Sequence, residues 1–197
     1  MKNILFLILI LAYSTTVSAF DFVLQPGELK FLPKYCHAKL DPKLSGPDSM
    51  ARNFFGHENS RHMHHYCAGL AYIHRGDKAI GADSTKRRFL YERAAAEIGY
   101  MEQHMSPDFR IRYELFFNKG YALSKVGRGA EAIIYFQKAI DEEPKYLKAH
   151  RAIFDYYFEL NQLERATDVI TRALEISPNS SSLKRRLKKL QEKKKGT

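Results

Sequence analysis

Apolar residues recur with a helical period along most of this chain. From residue 62 onward, residues such as Met63, Tyr66 and Leu70 lie three or four positions apart, which predicts an amphipathic helix. Prolines and glycines interrupt residues 20–61 instead, so that stretch is predicted to be an irregular N-terminal extension. The pattern therefore predicts an all-α, single-domain protein in which stacked helices follow the extension.

One spacing occurs twice in the helical part of the chain. Two sets of residues lie 34 positions apart, member for member: Phe116, Gly120, Leu123, Ala132, Phe136, Ala139 and Pro144, then His150, Phe154, Tyr157, Ala166, Ile170, Ala173 and Pro178. This period is typical of stacked helical hairpins, because small residues let paired helices approach closely and proline ends the second helix. Residues 108–180 are therefore predicted to form two hairpins, with helices at about 108–125 and 129–141, then at about 145–159 and 162–176.

An altered version of this hairpin is predicted upstream, in residues 62–107. Gly69 stands where the next hairpin has its own glycine, but Tyr91 follows it after 22 residues, against 16 for the matching pair downstream. The second helix, with Ser84 as its N-cap and an end near Met105, is therefore predicted to be long. This first hairpin is a degenerate repeat.

A last helix is predicted to close the stack over residues 181–197. Serines at 180–182 offer an N-cap, and Leu183, Leu187 and Leu190 form its apolar stripe. A stack of repeats needs an end helix with one apolar and one polar face. This segment has the composition of such a cap.

These spacings resemble those of the tetratricopeptide repeat. That family places a large aromatic residue, glycine, alanine, a second aromatic residue, alanine and proline at these positions, and the resemblance covers about 113–180. It implies a scaffold of about three helical hairpins that binds other molecules. It also implies that the chain is not a catalyst.

The first residues of the chain predict export. A short basic start is followed by an apolar run over residues 4–12, polar residues, and the small residues Val17, Ser18 and Ala19. This order is typical of a secretory signal peptide, so residues 1–19 are predicted to be removed by cleavage after Ala19. The mature chain is then periplasmic. In the alternative, an uncleaved segment anchors it in the inner membrane.

The two cysteines of the chain have two interpretations. In an oxidising compartment a lone pair is most economically a disulfide, which would tie the extension, through Cys36, to the first repeat helix, through Cys67. The alternative is a metal-binding or redox module in which the cysteines and a histidine cluster bind zinc or copper. That cluster comprises His57, His62, His64 and His65. Its spacings match no standard zinc or haem motif, and structural, pH-sensitive or partner-contacting histidines are further interpretations.

The sequence around both cysteines carries a second resemblance. Residues 32–36 (LPKYC) and 64–70 (HHYCAGL) resemble the start of a group of exported bacterial tetratricopeptide-repeat proteins, in which such a pair precedes the repeats. The resemblance implies export and the pairing of Cys36 with Cys67. It implies no particular activity.

In tetratricopeptide repeats, the first helix of each hairpin lines a concave groove that holds extended peptides or helices of other proteins. The resemblance places these residues at groove positions: Met63, Tyr66, Leu70 and His74 in the first hairpin, Glu114, Phe117, Tyr121 and Lys125 in the second, and Lys148, Arg151, Asp155 and Phe158 in the third. Phe117 and Tyr121 would suit apolar side chains. Lys125, Lys148 and Arg151 would hold a carboxylate. In the alternative, the extension or the last helix fills the groove.

The formal net charge of +10 favours anionic partners. Eight lysines and arginines, against one glutamate, stand between Leu183 and Thr197. This basic helix either contacts anionic lipid or acidic glycan, or serves as a solvated end cap. Nucleic acid is not expected as a partner, because the chain is predicted to be exported.

The sequence contains no motif of a catalytic centre or a phosphate-binding loop, so neither an enzyme nor a cofactor is predicted. The predicted function is a non-catalytic scaffold or adaptor that binds a protein or peptide partner in the cell envelope. Assembly of a secretion, pilus or polysaccharide system is an example of such a role. Two alternatives stay open: a metal-binding or redox module built on the cysteines and histidines, and an anionic-surface binder that acts through the last helix.

Overall fold

The computed structural model describes residues 22–41, 48–79, 81 and 83–196. Within these ranges the chain forms eight α-helices, a short 3₁₀ helix at Leu29–Phe31 and no strand. In chain order the helices are α1 (Lys34–Leu40), α2 (Asp48–Lys78), α3 (Ser84–His104), α4 (Arg112–Lys125), α5 (Gly129–Glu142), α6 (Leu147–Glu159), α7 (Leu163–Ile176) and α8 (Ser181–Lys195). The predicted all-α class is confirmed. The predicted signal peptide at 1–19 lies outside the described residues.

Six of these helices pair into three hairpins, in which α2 packs on α3, α4 on α5, and α6 on α7. The turn of the second hairpin places Gly127 at φ 82°, and the turn of the third places Asn161 at φ 57°. Glycine and asparagine are the residues that adopt this left-handed conformation most readily. Because these two residues are 34 positions apart, the repeat period extends to the backbone of the turns.

A glycine lets the paired helices touch in the first two hairpins. A methyl group added to Gly120 would lie 2.8 Å from the ring of Phe136, and Gly69 makes the same kind of close contact with α3. In the third hairpin the large and the smaller residue trade places: Phe154 stands where the second hairpin has glycine, Ile170 stands where it has an aromatic ring, and both are buried. The space between the paired helices is therefore filled by different side chains in different hairpins.

The N-terminal extension is less irregular than predicted. It contains α1, and α2 begins at Asp48, with a break at Gly56 (φ 79°, ψ 163°), instead of beginning at residue 62. Pro33 occupies the N-cap of α1, where the fixed φ of proline and its missing N–H do not disturb a helix. The prediction of an irregular segment up to residue 61 was wrong because proline marks helix starts as well as helix breaks.

Two helix starts also differ from the prediction. The N-cap of α3 is Asp83 and not Ser84, and its carboxylate accepts a hydrogen bond from the Thr85 N–H at 2.9 Å. Helix α4 starts at Arg112 instead of near residue 108. Helix α3 has 21 residues, against 14 in α4, so the first hairpin does have a long second helix.

The last helix completes the core. Leu183 and Leu190 of α8 are 0% and 1% exposed, and they pack on the last hairpin. Their partners in this cluster are Phe154, Ala166, Ile170 and Ala173. The apolar stripe of α8 is thus turned inward, and its lysines and arginines face outward or toward the groove. None of the described helices combines the length and apolar character that a bilayer span requires.

Candidate functional site

A disulfide joins Cys36 of α1 to Cys67 of α2, with 5.4 Å between their Cα atoms. Both residues are completely buried. The bond holds the extension against the first helix of the first hairpin, as predicted. Because both sulfur atoms belong to the bond, neither cysteine can act as a thiolate ligand.

Polar and aromatic contacts hold the rest of the extension on α2. Arg75 donates from Nε and Nη2 to the two carboxylate oxygens of Glu28, both at 2.7 Å, and Nη2 also donates to the Val23 carbonyl oxygen. Burial alone raises the pKa of Glu28, but Arg75 and a backbone N–H outweigh burial and lower it. The ring of Phe31 stacks on His74, with 4.2 Å between ring centroids. These contacts place the extension in the groove of the first hairpin.

A cleft of about 230 Å³ lies between the docked extension and α4. Its lining residues are Phe31, Leu32, Pro33 and Tyr35 from the extension, Tyr66, Leu70, Ile73, His74 and Asp77 from α2, and Glu114 and Asn118 from α4. The predicted groove residues Tyr66, Leu70, His74 and Glu114 therefore meet here. The extension occupies part of the groove and leaves a narrower opening beside it.

The carboxylate of Glu114 stands among four tyrosines. The Tyr113 hydroxyl lies 3.5 Å from Glu114 Oε1 in donating geometry. Burial raises the pKa of Tyr35, Tyr66, Tyr113 and Tyr146, and the negative charge of Glu114 raises each of them further. These four phenols are therefore neutral near pH 7, and their rings surround one acidic group.

Burial raises the pKa of Glu114 itself, while the ammonium of Lys148 and the Tyr113 hydroxyl oppose that rise. Lys148 is exposed and does not line the cleft, and its Nζ lies 5.9 Å from the ring centroid of Tyr146. The carboxylate thus interacts with a cation at long range and not through a close ion pair. Its desolvation is only partly compensated.

A second polar group of the cleft also lacks a full set of partners. Asn118 Nδ2 donates to the Tyr66 hydroxyl at 2.8 Å, which satisfies that buried phenol. The hydroxyl of Tyr35 is buried too; within the described ranges it makes no close hydrogen bond, although the Tyr66 hydroxyl lies near enough to oppose the rise in its pKa. A buried hydroxyl without a partner is costly unless a ligand or water completes it.

Asp77 is the second carboxylate that lines the cleft, and it joins three helices. Its Oδ1 accepts hydrogen bonds from Tyr91 of α3 at 2.7 Å and from Tyr121 of α4 at 2.8 Å. Burial, followed by these hydrogen bonds, raises the pKa of both phenols, to about 12 for Tyr91. Gly76 makes room for the ring, since a methyl group there would lie 2.7 Å from Tyr91.

The groove positions of the second hairpin form an aromatic strip. Phe117 stacks near Tyr121 with 6.3 Å between centroids, and it meets the edge of Tyr146 at 5.4 Å. Lys125 is exposed, and its Nζ lies 4.9 Å from the Tyr121 centroid. Half-buried rings beside an exposed ammonium are suited to contact a partner that has both apolar and acidic groups.

Helix α8 packs against the groove positions of the third hairpin. Arg186 Nε donates to Asp155 Oδ1 at 2.8 Å, and Arg151 Nη1 donates to the Ser182 hydroxyl at 3.3 Å. Phe158 packs on Phe154, with 5.5 Å between centroids. Asp155 and Arg151 are therefore engaged by α8, and they offer less to a partner than the sequence suggested.

A second cleft, of about 330 Å³, opens between α6 and α8. Its lining residues are Phe154, Asp155, Phe158, Glu159, Arg185, Arg186 and Lys189. Of its three cations, only Arg186 makes an ion pair in the described part of the chain. Arg185 and Lys189 thus add positive charge to this end of the groove, in a cleft that the half-buried ring of Phe158 also lines.

Two predicted groove residues are wholly buried. Met63 and Tyr66 are both 0% exposed. Met63 is part of the core and is not accessible from the groove, whereas Tyr66 borders the cleft. The sequence patterns did not predict that Tyr35 and Arg185 line the clefts. The position of Tyr35 next to Cys36 was a usable signal, since a cysteine predicted to form a disulfide also places its neighbour on the docked surface.

All four histidines of the predicted cluster lie on α2, but their side chains have different surroundings. His65 Nδ1 lies 2.7 Å from Glu97 Oε2, a geometry that fits donation from Nδ1–H to the carboxylate. His62 stacks on His104 of α3, with 4.6 Å between centroids. His57 is largely exposed.

The remaining histidine, His64, has a strongly perturbed titration. Burial and then the neighbouring His65 lower the pKa of His64 to about 4. Across the described residues, no group of three or more histidines, cysteines, aspartates or glutamates is placed to hold a metal ion.

The fold defines an all-α protein built of stacked helical hairpins. A family model described as Tetratricopeptide repeat matches residues 123–190. The resemblance to this family is thereby confirmed over this stretch, which runs from the end of α4 through α5 and the third hairpin into α8. Such repeats are typical of protein-binding scaffolds, and proteins built from them are typically not enzymes.

Among solved structures, the chain is similar to one described as the first TPR of Spaghetti (RPAP3) bound to the HSP90 peptide SRMEEVD. The identity is 22%, the TM-score is 0.46, and the match covers 63% of this chain and 93% of the other. No curated protein matches the chain.

Proposed function

We propose that this chain is a non-catalytic scaffold of the cell envelope, which holds an extended segment of a protein partner in its concave groove. The observation that carries the proposal is the open cleft between α6 and α8, which Arg185, Lys189 and Phe158 line together. A cleft with an aromatic wall and cations without close acidic partners suits an extended segment that alternates apolar and acidic side chains.

Two features support an exported location. The first 19 residues have the order of a signal peptide, with a cleavage site after Ala19. The Cys36–Cys67 disulfide is the kind of bond that persists in a periplasm or another oxidising compartment. The partner is accordingly a protein of the envelope, and assembly of a secretion, pilus or polysaccharide system is the kind of task we assign to the scaffold. Anchoring by an uncleaved N-terminal segment is the alternative form of the same proposal.

A direct contact between α8 and anionic lipid or glycan has less support. Leu183 and Leu190, the apolar residues that would enter a bilayer, are buried on the last hairpin. Contact of α8 with an anionic surface would therefore depend on its outward lysines alone and would be sensitive to salt.

A peptide-binding experiment tests the proposal. The probe is a fluorescent extended peptide that alternates phenylalanine or leucine with aspartate or glutamate, and the readout is fluorescence anisotropy at physiological salt. We expect the variant R185E/K189E to bind about tenfold or more weakly than the wild type, because two groove cations become acidic. The control K184E/K188E has the same change in net charge on exposed positions that do not line the cleft.

The control separates groove binding from general charge attraction. Equal losses in the two variants would mean that the peptide follows net charge, and the groove proposal would then be wrong. A chain that binds none of these peptides would contradict it as well. Cell fractionation followed by mass spectrometry of the N-terminus tests the exported location, which predicts a periplasmic chain that begins at Phe20.

A further inference from the structure

We propose that the cleft beside the extension is a socket for a cationic side chain, a lysine or arginine of the bound partner segment. The inference rests on the proposed function for the existence of that segment. The inference concerns the end of the groove that lies away from the α6–α8 cleft, where the extension narrows the groove. The group that receives the cation is the carboxylate of Glu114.

The surroundings of Glu114 are those of a cation site. Tyr35 and Tyr66 line the cleft with this carboxylate, and Tyr113 and Tyr146 flank it. The faces of aromatic rings attract cations, and a carboxylate among such rings adds a full opposite charge. The same surroundings are unfavourable for an acidic ligand, since Glu114 and Asp77 would both repel it.

The polar groups of the cleft are also incomplete without a ligand. Within the part of the chain that the structure describes, Glu114 has no close ion pair to offset its burial, and Lys148 acts on it only from outside the cleft. The Tyr35 hydroxyl is buried and, among described residues, makes no close hydrogen bond, with only the Tyr66 hydroxyl nearby. An ammonium or guanidinium group carries several donors, so one bound head group can donate to both the carboxylate and this hydroxyl oxygen.

The apolar part of the cleft fits the stem of the same side chain. Leu70 and Ile73 of α2 and Leu32 of the extension provide aliphatic lining. Lysine and arginine bury their methylene stems along such surface while the charged head reaches a polar group. The cleft volume of about 230 Å³ is below the roughly 300–1,000 Å³ typical of small-molecule sites, which suits a single side chain.

The two clefts together give the groove a polarity. Carboxylates line the cleft by the extension, whereas the three cations of the cleft by α8, Arg185, Arg186 and Lys189, outnumber its two carboxylates, Asp155 and Glu159. A bound segment is therefore oriented, with its cationic residue at the extension and its acidic residues at α8. Repulsion at both ends would oppose the reverse orientation.

The test compares two forms of the acidic probe peptide, one with a lysine at its extension-facing end and one with norleucine in its place. Dissociation constants are measured by calorimetry on the full chain with its disulfide intact. We expect the wild type to prefer the lysine peptide by about tenfold, the equivalent of one charge-assisted hydrogen bond. The variant Glu114→Gln should lose this preference, and Glu175→Gln, an exposed carboxylate on α7, should keep it.

Lys148→Ala distinguishes the socket from a general role of this region. Lys148 competes with the ligand for the Glu114 carboxylate, so its removal should strengthen binding of the lysine peptide several-fold. Weaker binding of the lysine peptide to this variant than to the wild type would overturn the inference. Circular dichroism and urea unfolding verify that each variant is folded.

The outcomes for the two ends of the groove are separable. Equal affinity of the wild type for both peptides overturns the cation socket, even if R185E/K189E loses peptide binding and the proposed function stands. A lysine preference that survives Glu114→Gln also overturns it. If neither peptide binds the wild type, both the socket and the proposed function are wrong.

Discussion

Arg75 donates hydrogen bonds to both carboxylate oxygens of Glu28, at 2.7 Å each, although the two residues lie 47 positions apart. Their side chains are 13% and 8% exposed, so the ion pair is well shielded from water. The same guanidinium lies 4.9 Å from the ring centroid of Phe22. Arg75 of α2 thus holds the start of the extension in place, and the disulfide at Cys36 holds a later part of it.

Removal of one partner from this ion pair should be costly. We expect Glu28→Gln to lower the free energy of unfolding by about 3 kcal/mol, because Arg75 keeps its charge in a buried place without a full counter-charge. The measurement is urea unfolding followed by circular dichroism. The control is Glu92→Gln, whose exposed pair with Arg88 should contribute no more than about 0.5 kcal/mol. Similar small losses in both variants would show that the extension is not held by this pair.

Loss of the disulfide should loosen the extension without dissolving the repeats. The cysteines are separated by 31 positions, and closing a loop of this size stabilises a folded chain by about 3–4 kcal/mol in the chain-entropy model. We expect C36S/C67A to lose about that amount. Limited proteolysis should then cut within residues 22–41 first, while 112–195 stays intact. Simultaneous cleavage throughout the chain would contradict this order.

The close contact at Gly120 should not tolerate a methyl group. In Gly120→Ala the new Cβ would lie 2.8 Å from the Phe136 ring and 3.0 Å from the Ala132 carbonyl oxygen, and the backbone oxygen cannot move away easily. We expect a loss of about 1–3 kcal/mol in the free energy of unfolding. Gly99→Ala is the matched control in a helix, because its nearest neighbour is the flexible end of Lys119 at 3.2 Å. This control should be neutral or gain up to about 1 kcal/mol from helix propensity.

Acid should weaken the fold through His64. Its pKa is about 4 in the folded chain, below the ordinary value of 6.5, so the unfolded chain binds this proton at a higher pH than the folded chain does. The stability that the neutral imidazole contributes is complete above pH 6.5 and is lost as the pH falls toward 4. We expect the urea midpoint of the wild type to decline over this window and His64→Gln to flatten the decline. The exposed His57→Gln should leave the slope unchanged, and an unchanged slope in His64→Gln would refute the assignment.

The end helix should be required for the stability of the third hairpin. Leu190 of α8 is 1% exposed, and we expect Leu190→Ala to lower the free energy of unfolding by about 3 kcal/mol through lost burial and the cavity left behind. Leu160→Ala, at a position that is 51% exposed, should change it by less than about 0.5 kcal/mol. Amide hydrogen exchange should show that α7 loses protection in the Leu190 variant before α3 does. Equal protection of both helices would mean that α8 does not act as a cap.

The candidate site was only partly predictable. Leu70 and Glu114 were placed in the groove because the repeat spacing fixes which helix face is concave, and both do line the cleft. The repeat spacing did not predict that Met63 is completely buried. Asp77 carries no meaning as a single residue in the sequence. It becomes a junction only because α3 and α4 bring the hydroxyls of Tyr91 and Tyr121 to the same oxygen.

The sequence by itself determined the helices, their pairing and the two best repeats, because a helical period and a small residue at each crossing are local properties. It limited Cys36 to one intramolecular partner, Cys67, but left a disulfide and a metal site as alternatives, and the structure shows the disulfide. Only the tertiary structure decided the path of the extension along α2, and with it the separation of the groove into an acidic cleft and a basic cleft. Contacts such as Arg75 to Glu28 join distant positions that share no period, so only the folded chain brings their charges together.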